Sequence, residues 1–283
     1  MSRLSIVIPA KNEAGAIGDV VSKARTAYPE AEVIVVDDGS TDDTAKAATD
    51  AGAQVVSHPE SLGNGAAVKT GARTATGELI AFMDGDGQHD AAELAPLIER
   101  LDDGYDMVVG ARDSGSHANF GRLFANGLYN AIASKMSGRE IPDLTSGFRV
   151  ARADKFREYL YLLPNGFSYP TTITMAFLRS GYPICFEPIS AAKRIGKSHI
   201  QPLKDGVRFL IIIFKIATLY SPLKIFVPIS MLFFATGLGW YAYTYSTLGR
   251  FTNMSMLLFS ASVVVFLIGL ISEQITALMY KKN

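Results

Sequence analysis

The residues best placed to do chemistry are two carboxylates, Asp84 and Asp86, separated by one glycine. They follow the apolar run 79–83, which predicts a buried strand, and the neighbouring glycines allow a sharp turn and close approach of a ligand. Hard cations such as Mg²⁺ take oxygen ligands, and need only one or two carboxylates when substrate phosphates supply the rest. The pattern therefore favours a divalent cation that grips the diphosphate of a nucleotide-activated substrate.

Other interpretations of such motifs can be compared with the sequence. Two carboxylates among glycines also occur in ordinary turns, and this alternative stays open until the surrounding elements are considered. An EF-hand loop that began at Asp84 would need Gly and Glu where the chain has His89 and Ala95. A P-loop ending at residues 196–198 would need glycine where the chain has Ala191. Both of these nucleotide- or calcium-binding loops are therefore excluded.

The first part of the chain predicts the elements that position these carboxylates. Short β-rich runs at 4–8, 32–36, 54–56 and 79–83 alternate with helical segments at 13–28, 41–51 and 66–75. This alternation predicts an α/β fold, with a mostly parallel sheet flanked by helices on both faces. Ligands of such sheets bind beyond the carboxyl ends of the strands. Asp37 and Asp38 follow the second strand as Asp84 and Asp86 follow the fourth, so we expect one cleft to collect all four.

Composition narrows the classes of partner. The chain has 283 residues, 27 basic and 27 acidic, so its charge is balanced and no nucleic-acid partner is indicated. Cys185 is the single cysteine, which excludes an internal disulfide and favours a cytosolic environment for the soluble part.

The chain changes character after Pro202. Residues 225–249 and 251–272 contain no charged side chain, and each run is long enough to span a bilayer as a helix. We predict a two-helix transmembrane hairpin with spans at about 225–247 and 253–279; the alternative is a pair of buried core helices. Lysines flank the hairpin on both sides, which predicts cytoplasmic ends, and aromatic residues 240–245 suit a membrane interface.

Residues 203–220 mix an apolar run with three cations, Lys204, Arg208 and Lys215, on one helical stripe. This pattern favours an amphipathic helix in the membrane surface, although a helix packed on the soluble domain has the same pattern. The predicted organisation is a catalytic domain at 1–202, an interfacial region at 203–224 and a hairpin at 225–283.

Several segments together carry a resemblance to a known family. Segments 6–13, 35–42, 63–67 with Gly71, and 84–89 resemble, in this order, family 2 glycosyltransferases with the GT-A fold. Segments 109–112, 143–149 and 194–198 are similar to the subgroup that makes polyprenyl-phosphate sugars, the dolichyl-phosphate mannose synthase type, except that His199 stands where that subgroup tends to carry Lys. The two-span tail resembles bacterial members that glycosylate undecaprenyl phosphate.

The resemblance implies roles for particular residues. Asp86, Gln88 and Asp84 would hold Mg²⁺ or Mn²⁺, with Asp84 facing the ribose or sugar. Asp86, Arg112, Arg122 and Arg194 would be the catalytic set, in which the arginines contact the acceptor phosphate or the donor diphosphate; a solvated surface charge is the alternative for each arginine. The nucleotide and the remaining substrate groups would contact Pro9, Lys11, Glu13, Asp38, Gly65, Asp84, Ser146, Arg149, Lys197 and Ser198.

The resemblance also implies a reaction. A hexose would pass from a nucleotide-sugar (UDP-glucose, UDP-N-acetylglucosamine or GDP-mannose) to a polyprenyl phosphate, with inversion, at the bacterial cytoplasmic membrane and on its cytoplasmic side. The acceptor phosphate has a second pKa near 6 and is already anionic, so neither His89 nor His199 is needed as a general base. Association of several copies through the hairpin remains open.

Two other functions stay in view. A processive polysaccharide synthase shares the nucleotide-binding half, but its family pattern includes Gln-x-x-Arg-Trp after the acidic motif, and the single Trp of this chain, Trp240, lies in a predicted span. A membrane-anchored protein that only binds nucleotide would retain the same acidic motif without catalysis.

Overall fold

The fold consists of an α/β domain followed by a long helical hairpin. The computed structural model describes residues 3–112, 120–166, 168–189, 211, 214 and 218–280, with the backbone alone for 120–126. The strands are β1 Leu4–Ala10, β2 Glu32–Asp37, β3 Gln54–Ser57, β4 Leu79–Phe82, β5 Met107–Arg112, β6 Arg149–Arg152 and β7 Ile184–Ile189. The helices of the domain are α1 Ile17–Ala27, α2 Thr44–Asp50, α3 Asn64–Thr74, α4 Leu94–Asp102, α5 Phe120–Ser137, α6 Ala153–Arg157 and α7 Tyr169–Arg179. Two longer helices, α8 Leu223–Leu248 and α9 Asn253–Met279, form the hairpin.

The seven strands form one sheet in the order β3-β2-β1-β4-β6-β5-β7. β6 runs antiparallel to both of its neighbours, β4 and β5, while all other pairs are parallel. The predicted α/β class with a mostly parallel, helix-flanked sheet is therefore confirmed. The antiparallel β6 was not predicted.

Alternate residues of the strands supply two apolar layers. Ile6, Ile8 and Val35 face one layer, which α1 and α4 cover, whereas Val7 and Ile34 face the other, which α3 and α7 cover. Because both faces of the sheet are covered, polar side chains can be exposed only at the ends and edges of the strands. The residues that could bind a ligand are therefore expected in the loops that follow the strands.

The hairpin is built on a different principle. α8 and α9 are each long and apolar enough to cross a membrane. Only 11% and 17% of the most apolar 18-residue stretch of each helix is buried. This exposure is the opposite of what the alternative of two buried core helices requires. The contact between the helices uses small and hydroxyl side chains spaced seven residues apart, which matches the period of a left-handed helix pair. These are Ser230, Gly237 and Thr244 on α8, and Ser255, Ser262, Gly269 and Thr276 on α9.

The predicted interfacial helix at 203–224 falls largely outside the described residues, which there include only 211, 214 and 218–224. The three-part division of the chain thus remains a prediction, although α8 and α9 occupy the predicted spans closely.

Candidate active site

The strand register brings the predicted acidic residues to one edge of the sheet. Asp37, the last residue of β2, pairs with Ala10 at the end of β1. Phe82, the last residue of β4, pairs with Val7 on one side and with Arg149, the first residue of β6, on the other. The loops that carry Asp38, Asp84 and the segment before Arg149 therefore leave the sheet at the same edge, as the sequence predicted for the acidic residues.

The loop after β4 is folded tightly against the sheet. A Cβ atom on Gly85 would lie 3.3 Å from Ala10 Cβ and from Ile17 Cδ1, so a side chain there would crowd the core. The carboxylate of Asp86 accepts a hydrogen bond of 3.1 Å from the backbone N–H of Gln88. Gly87 adopts φ of 74°, a conformation that glycine tolerates best. The loop is thus shaped by its glycines and by the acidic side chain itself.

The segment before β6 lies against Asp84. A Cβ atom on Gly147 would be 3.3 Å from Asp84 Oδ1 and equally close to the Tyr169 hydroxyl, so a larger residue would crowd both groups. The Tyr169 hydroxyl donates to the Gly147 carbonyl at 3.3 Å. The carboxylate of Asp84 therefore faces backbone from the 143–149 segment.

Arg112, the last residue of β5, is held in a fixed orientation. Its Nε and Nη2 donate to the two carboxylate oxygens of Asp143 at 2.8 and 3.1 Å, and Nη2 also donates to Thr145 Oγ1 at 2.9 Å. Burial alone would raise the pKa of the Asp143 carboxyl, but the bonds and charge of Arg112 outweigh it and hold that pKa below its usual value. The Arg112 side chain remains 34% exposed, and these bonds leave Nη1 to meet a ligand.

The charge of Asp84 also affects the pKa of Arg112. Burial would lower the pKa of Arg112, but the bonds and charge of Asp143, together with the charge of Asp84, raise it above its usual value. A permanently charged guanidinium that is already oriented is suited to bind a phosphate group through its remaining Nη1.

Arg149 was expected to contact substrate, and in the structure its side chain is enclosed by protein groups. Its side chain is 0% exposed, and its guanidinium donates to the Thr174 hydroxyl at 3.2 Å, to the Pro170 carbonyl at 3.3 Å and to the Ser146 carbonyl. It also lies 5.7 Å from the centre of the Tyr169 ring. These bonds hold the 146–149 segment in place, and the expected contact of Arg149 with substrate stays a prediction.

Asp38 was expected to line the nucleotide pocket, but here its carboxylate holds the loop after β3. It accepts hydrogen bonds from His58 Nδ1 and Ser61 Oγ, both at 2.8 Å, and from the N–H groups of Leu62 and Gly63, both at 2.9 Å. An ionised carboxylate offers about four acceptor positions, so these donors use its capacity. Burial would raise the pKa of Asp38, yet the His58 and Ser61 bonds lower it on balance. Asp38 therefore shapes this loop, and its expected contact with the nucleotide stays a prediction.

Gly65 is likewise a packing residue. A Cβ atom there would lie 2.0 Å from the Pro164 carbonyl oxygen, and its N–H donates to Gly166 O at 3.3 Å. The N-terminus of α3 therefore lies close to the 164–166 loop, and the expected contact of Gly65 with substrate stays a prediction.

The other predicted residues are placed as follows. Pro9 and Glu13 are half-buried near the end of β1, and Lys11 is exposed, with its Nζ donating to Ser61 Oγ at 2.9 Å. Ser146 is buried, and its Oγ has no hydrogen-bond partner in the described structure. Arg194, Lys197 and Ser198 lie outside the described residues, as does the side chain of Arg122. Their predicted roles stay predictions.

His89 is enclosed beside the acidic loop. Its ring stacks on Phe148, with the centroids 4.8 Å apart. Burial lowers the pKa of His89 and outweighs the opposite effect of Asp84 and Asp86, so the imidazole is neutral at physiological pH. This placement agrees with the view that His89 supports the loop.

Comparison with known proteins places this geometry in a family. Residues 5–160, more than half of the chain, match glycosyl transferase family 2. The chain belongs to this family. Residues 221–278 also match the GtrB C-terminal hairpin.

Individual relatives support the assignment of this glycosyltransferase. Glycosyltransferase AglJ of Haloferax volcanii is 29% identical over 96% of this chain and 93% of its own length. The undecaprenyl-phosphate mannosyltransferase of Micrococcus luteus is 30% identical over 70% of this chain and 88% of its own length. A crystal structure of glucosyl-3-phosphoglycerate synthase from Mycobacterium tuberculosis, in complex with Mn²⁺, UDP and glucosyl-3-phosphoglycerate, shares the fold, with a TM-score of 0.60, 22% identity and 76% and 79% coverage of the two chains.

The donor set of this glycosyltransferase suits a cation that is completed by substrate. Among the described residues, no group of three or more His, Cys, Asp or Glu side chains could hold a metal ion by itself. Mg²⁺ commonly binds through one or two carboxylates plus substrate phosphates. Asp84 and Asp86 lie on the same loop after β4, and both affect the pKa of His89, so they are the carboxylates to consider for such a pair.

Sequence reasoning missed two residues that position the site. Asp143 lies in a segment that resembles the family, and a carboxylate three residues before the pair Ser146-Gly147 was the available signal. Tyr169 had no comparable signal, because its position beside Gly147 depends on how α7 packs on the sheet.

Proposed function

We propose that this glycosyltransferase moves a hexose from a nucleotide-sugar to the phosphate of a polyprenyl phosphate such as undecaprenyl phosphate. The product would be a lipid-linked monosaccharide. The observation that carries the proposal is the pre-oriented Arg112 beside Asp84, in a chain that ends in an exposed apolar hairpin. The names of relatives that use undecaprenyl or dolichyl phosphate support the same acceptor class.

The chemical problem is to bring two anions together. The acceptor phosphate is already anionic at neutral pH, so it attacks the anomeric carbon without a general base. Arg112, held by Asp143, binds phosphate oxygens and reduces their repulsion. Direct displacement inverts the configuration at the anomeric carbon, and proximity of the two substrates supplies much of the rate.

Asp86, Asp84 and Gln88 are the residues that would hold Mg²⁺ or Mn²⁺. When bound, the cation neutralises charge on the departing nucleoside diphosphate. The chain's own contribution is to fix the acidic loop, through Gly85 against the sheet and through the bond from Gln88 N–H to Asp86. UDP-glucose, UDP-N-acetylglucosamine and GDP-mannose are the donors to compare.

The hairpin would place the cleft at a membrane surface. α8 begins, and α9 ends, beside the catalytic domain, and the aromatic side chains of Trp240, Tyr243 and Tyr245 are exposed near the far end of α8. Such residues favour the membrane–water interface. We infer a location in the bacterial cytoplasmic membrane, with the catalytic domain on the cytoplasmic side.

A reconstitution experiment tests the proposal. The full chain is placed in liposomes containing undecaprenyl phosphate and Mn²⁺, and each radiolabelled donor is added in turn. We expect one donor to give label that extracts into organic solvent only when the lipid phosphate is present. Failure with every donor contradicts the proposal, and a donor that raises the unfolding temperature without forming product indicates a protein that only binds nucleotide.

A further inference from the structure

The two hairpin helices carry one charged side chain each. Lys224 is the second residue of α8, and Glu273 lies in the last two turns of α9, so both are at the end of the hairpin nearest the catalytic domain. A charge within an otherwise apolar helix is costly unless it has a partner, and it commonly marks a functional contact.

Glu273 joins three elements through one carboxylate. Its Oε1 lies 3.0 Å from Arg179 Nη2 at the end of α7. Its Oε2 accepts hydrogen bonds from Ser221 Oγ at 3.1 Å and from the N–H of Leu223, the first residue of α8, at 3.3 Å. The Arg179 and Glu273 side chains are 28% and 18% exposed, so water screens this ion pair less than a fully exposed one.

Lys224 makes the second attachment. Its Nζ donates to the Met136 carbonyl at 2.6 Å, in the last turn of α5, and lies 5.4 Å from the centre of the Tyr220 ring. A cation at the C-terminal end of a helix is stabilised by the helix dipole and by its unpaired carbonyl groups. Tyr161 adds a hydrogen bond from its hydroxyl to the Met279 carbonyl at the end of α9.

The two helices that receive these charges also hold the candidate active site. α7 begins at Tyr169, whose hydroxyl reaches Gly147 beside Asp84, and its Thr174 accepts a bond from Arg149. From Tyr169 to Arg179 the helix spans roughly 16 Å at the usual rise per residue. In α5, Asn130 accepts a bond of 3.0 Å from the N–H of Leu144, next to the Asp143 that orients Arg112. Each attachment of the hairpin is therefore connected to the candidate active site through a single helix, α7 or α5.

We propose that Glu273 and its partner Arg179 are positioning residues, which fix the cleft at the height and tilt where a membrane-borne lipid phosphate can reach it. The inference rests on the proposed function. The donor arrives from solution and is bound by a domain with its own core, so its binding does not depend on this attachment. The acceptor is confined to the membrane, and a loosened attachment lowers its effective concentration at the cleft.

The test separates the two substrates. Arg179→Ala, Arg179→Lys and Glu273→Gln are made in the full chain and reconstituted in liposomes that contain undecaprenyl phosphate. KM and kcat are measured for this acceptor, for the nucleotide-sugar, and for water-soluble geranyl phosphate. Arg100→Ala is the matched control, because it removes an ion pair of the same length, 3.0 Å to Glu187, that joins α4 to β7.

We expect Arg179→Ala and Glu273→Gln to raise the KM for the bilayer acceptor by roughly fivefold to tenfold, as loss of a partly screened ion pair allows. The KM for the donor and the kinetics with geranyl phosphate should stay at wild-type values, which also shows that the variants are folded. Arg179→Lys keeps a cation for Glu273, so its KM for the bilayer acceptor should stay close to the wild-type value. Arg100→Ala should behave as wild type.

The outcomes distinguish the inference from the function on which it rests. If the wild type transfers sugar but Arg179→Ala has the wild-type KM for the bilayer acceptor, the inference is wrong and the proposed function stands. The same conclusion follows if Arg179→Ala raises the KM for the donor as much as the KM for the acceptor. If the wild type transfers to no polyprenyl phosphate, the proposed function is wrong and the inference fails with it.

Discussion

The catalytic domain and the hairpin place apolar side chains in opposite ways. In the domain, large side chains such as Leu97 are fully buried against the sheet. In the hairpin, Leu232 and Leu257 are 67% and 62% exposed, while serine, threonine and glycine occupy the helix contact. Hydrophobic burial therefore stabilises the first region, whereas close backbone packing and hydroxyl bonds join the two helices of the second.

The same substitution in the two regions gives the largest contrast. Leu97→Ala removes a fully buried side chain and should lower the free energy of unfolding by about 2–5 kcal/mol, because it leaves a cavity. Leu257→Ala should change it by less than about 0.5 kcal/mol, since this side chain has few protein neighbours to lose. Thermal and urea unfolding in detergent measure both, and equal losses would contradict the comparison.

Glycine substitutions test the close packing of the hairpin. A Cβ atom on Gly269 would lie 2.5 Å from Phe226 Cβ, so Gly269→Ala should push the helices apart and cost about 1–3 kcal/mol. Gly239 has nothing within 4 Å of such an atom, and Gly239→Ala should be neutral or slightly stabilising. The single Trp240 lies in α8, so its fluorescence follows hairpin unfolding directly. Similar behaviour of the two variants would refute the packing argument.

The Arg112–Asp143 ion pair lies in the catalytic domain and contributes to the free energy of unfolding in a pH-dependent way. The pKa of Asp143 is lowered in the folded state, so its stabilisation is complete above the unfolded value of about 3.9 and is lost as the pH falls through the folded value. Asp143→Asn should cost about 1–2 kcal/mol at neutral pH, because Arg112 is partly exposed to water.

The slope of stability against pH is the decisive measurement for that pair. Between pH 5 and pH 3, taken as roughly the range over which such carboxyls titrate, Asp143→Asn should lose less stability than the wild type. It should also slow sugar transfer, since Arg112 loses its orientation. An unchanged slope would show that the pair does not form.

The smallest effect is expected from the hydroxyl bonds within the hairpin. Ser230 and Ser262 each donate to the other's carbonyl at 2.9 Å. Ser262→Ala should cost about 0.6 kcal/mol, the usual size of such a bond between membrane helices. Ser260→Ala, on the exposed face of α9, is the control and should have no effect on the Trp240 unfolding signal.

Sequence patterns predicted the regular parts of the molecule because those parts depend on local apolar runs. β1, β2 and β4 are predominantly apolar segments, and parallel register then places Asp37 and Asp84 at the same edge of the sheet. β6 was missed because its four residues begin and end with arginine, and the antiparallel direction depends on the strands beside it. The sequence predicted the two spans. It did not predict which residues join them, because small and hydroxyl side chains seven positions apart do not stand out in segments that are apolar throughout.

The roles of individual side chains were harder to predict. Asp38 accepts hydrogen bonds from His58 and Ser61, which lie 20 and 23 positions further along the chain, and only the folded chain shows that they meet. Arg149 resembles a phosphate ligand in the sequence, yet Thr174 and Pro170 of α7 enclose it. Arg112 is partly exposed because it ends β5, and its expected contact with a phosphate stays a prediction.

Transfer by Asp86→Asn is the most direct test of the central claim. Wild type and variant are reconstituted with undecaprenyl phosphate, Mn²⁺ and the radiolabelled donor that the wild type uses, and the label in extracted lipid is followed with time. The substitution keeps the shape of the loop but removes the charge that a cation requires, so we expect the variant to fold normally and to form no lipid-linked sugar. Turnover by the folded variant at the wild-type rate would contradict the assignment of the acidic loop as the donor site.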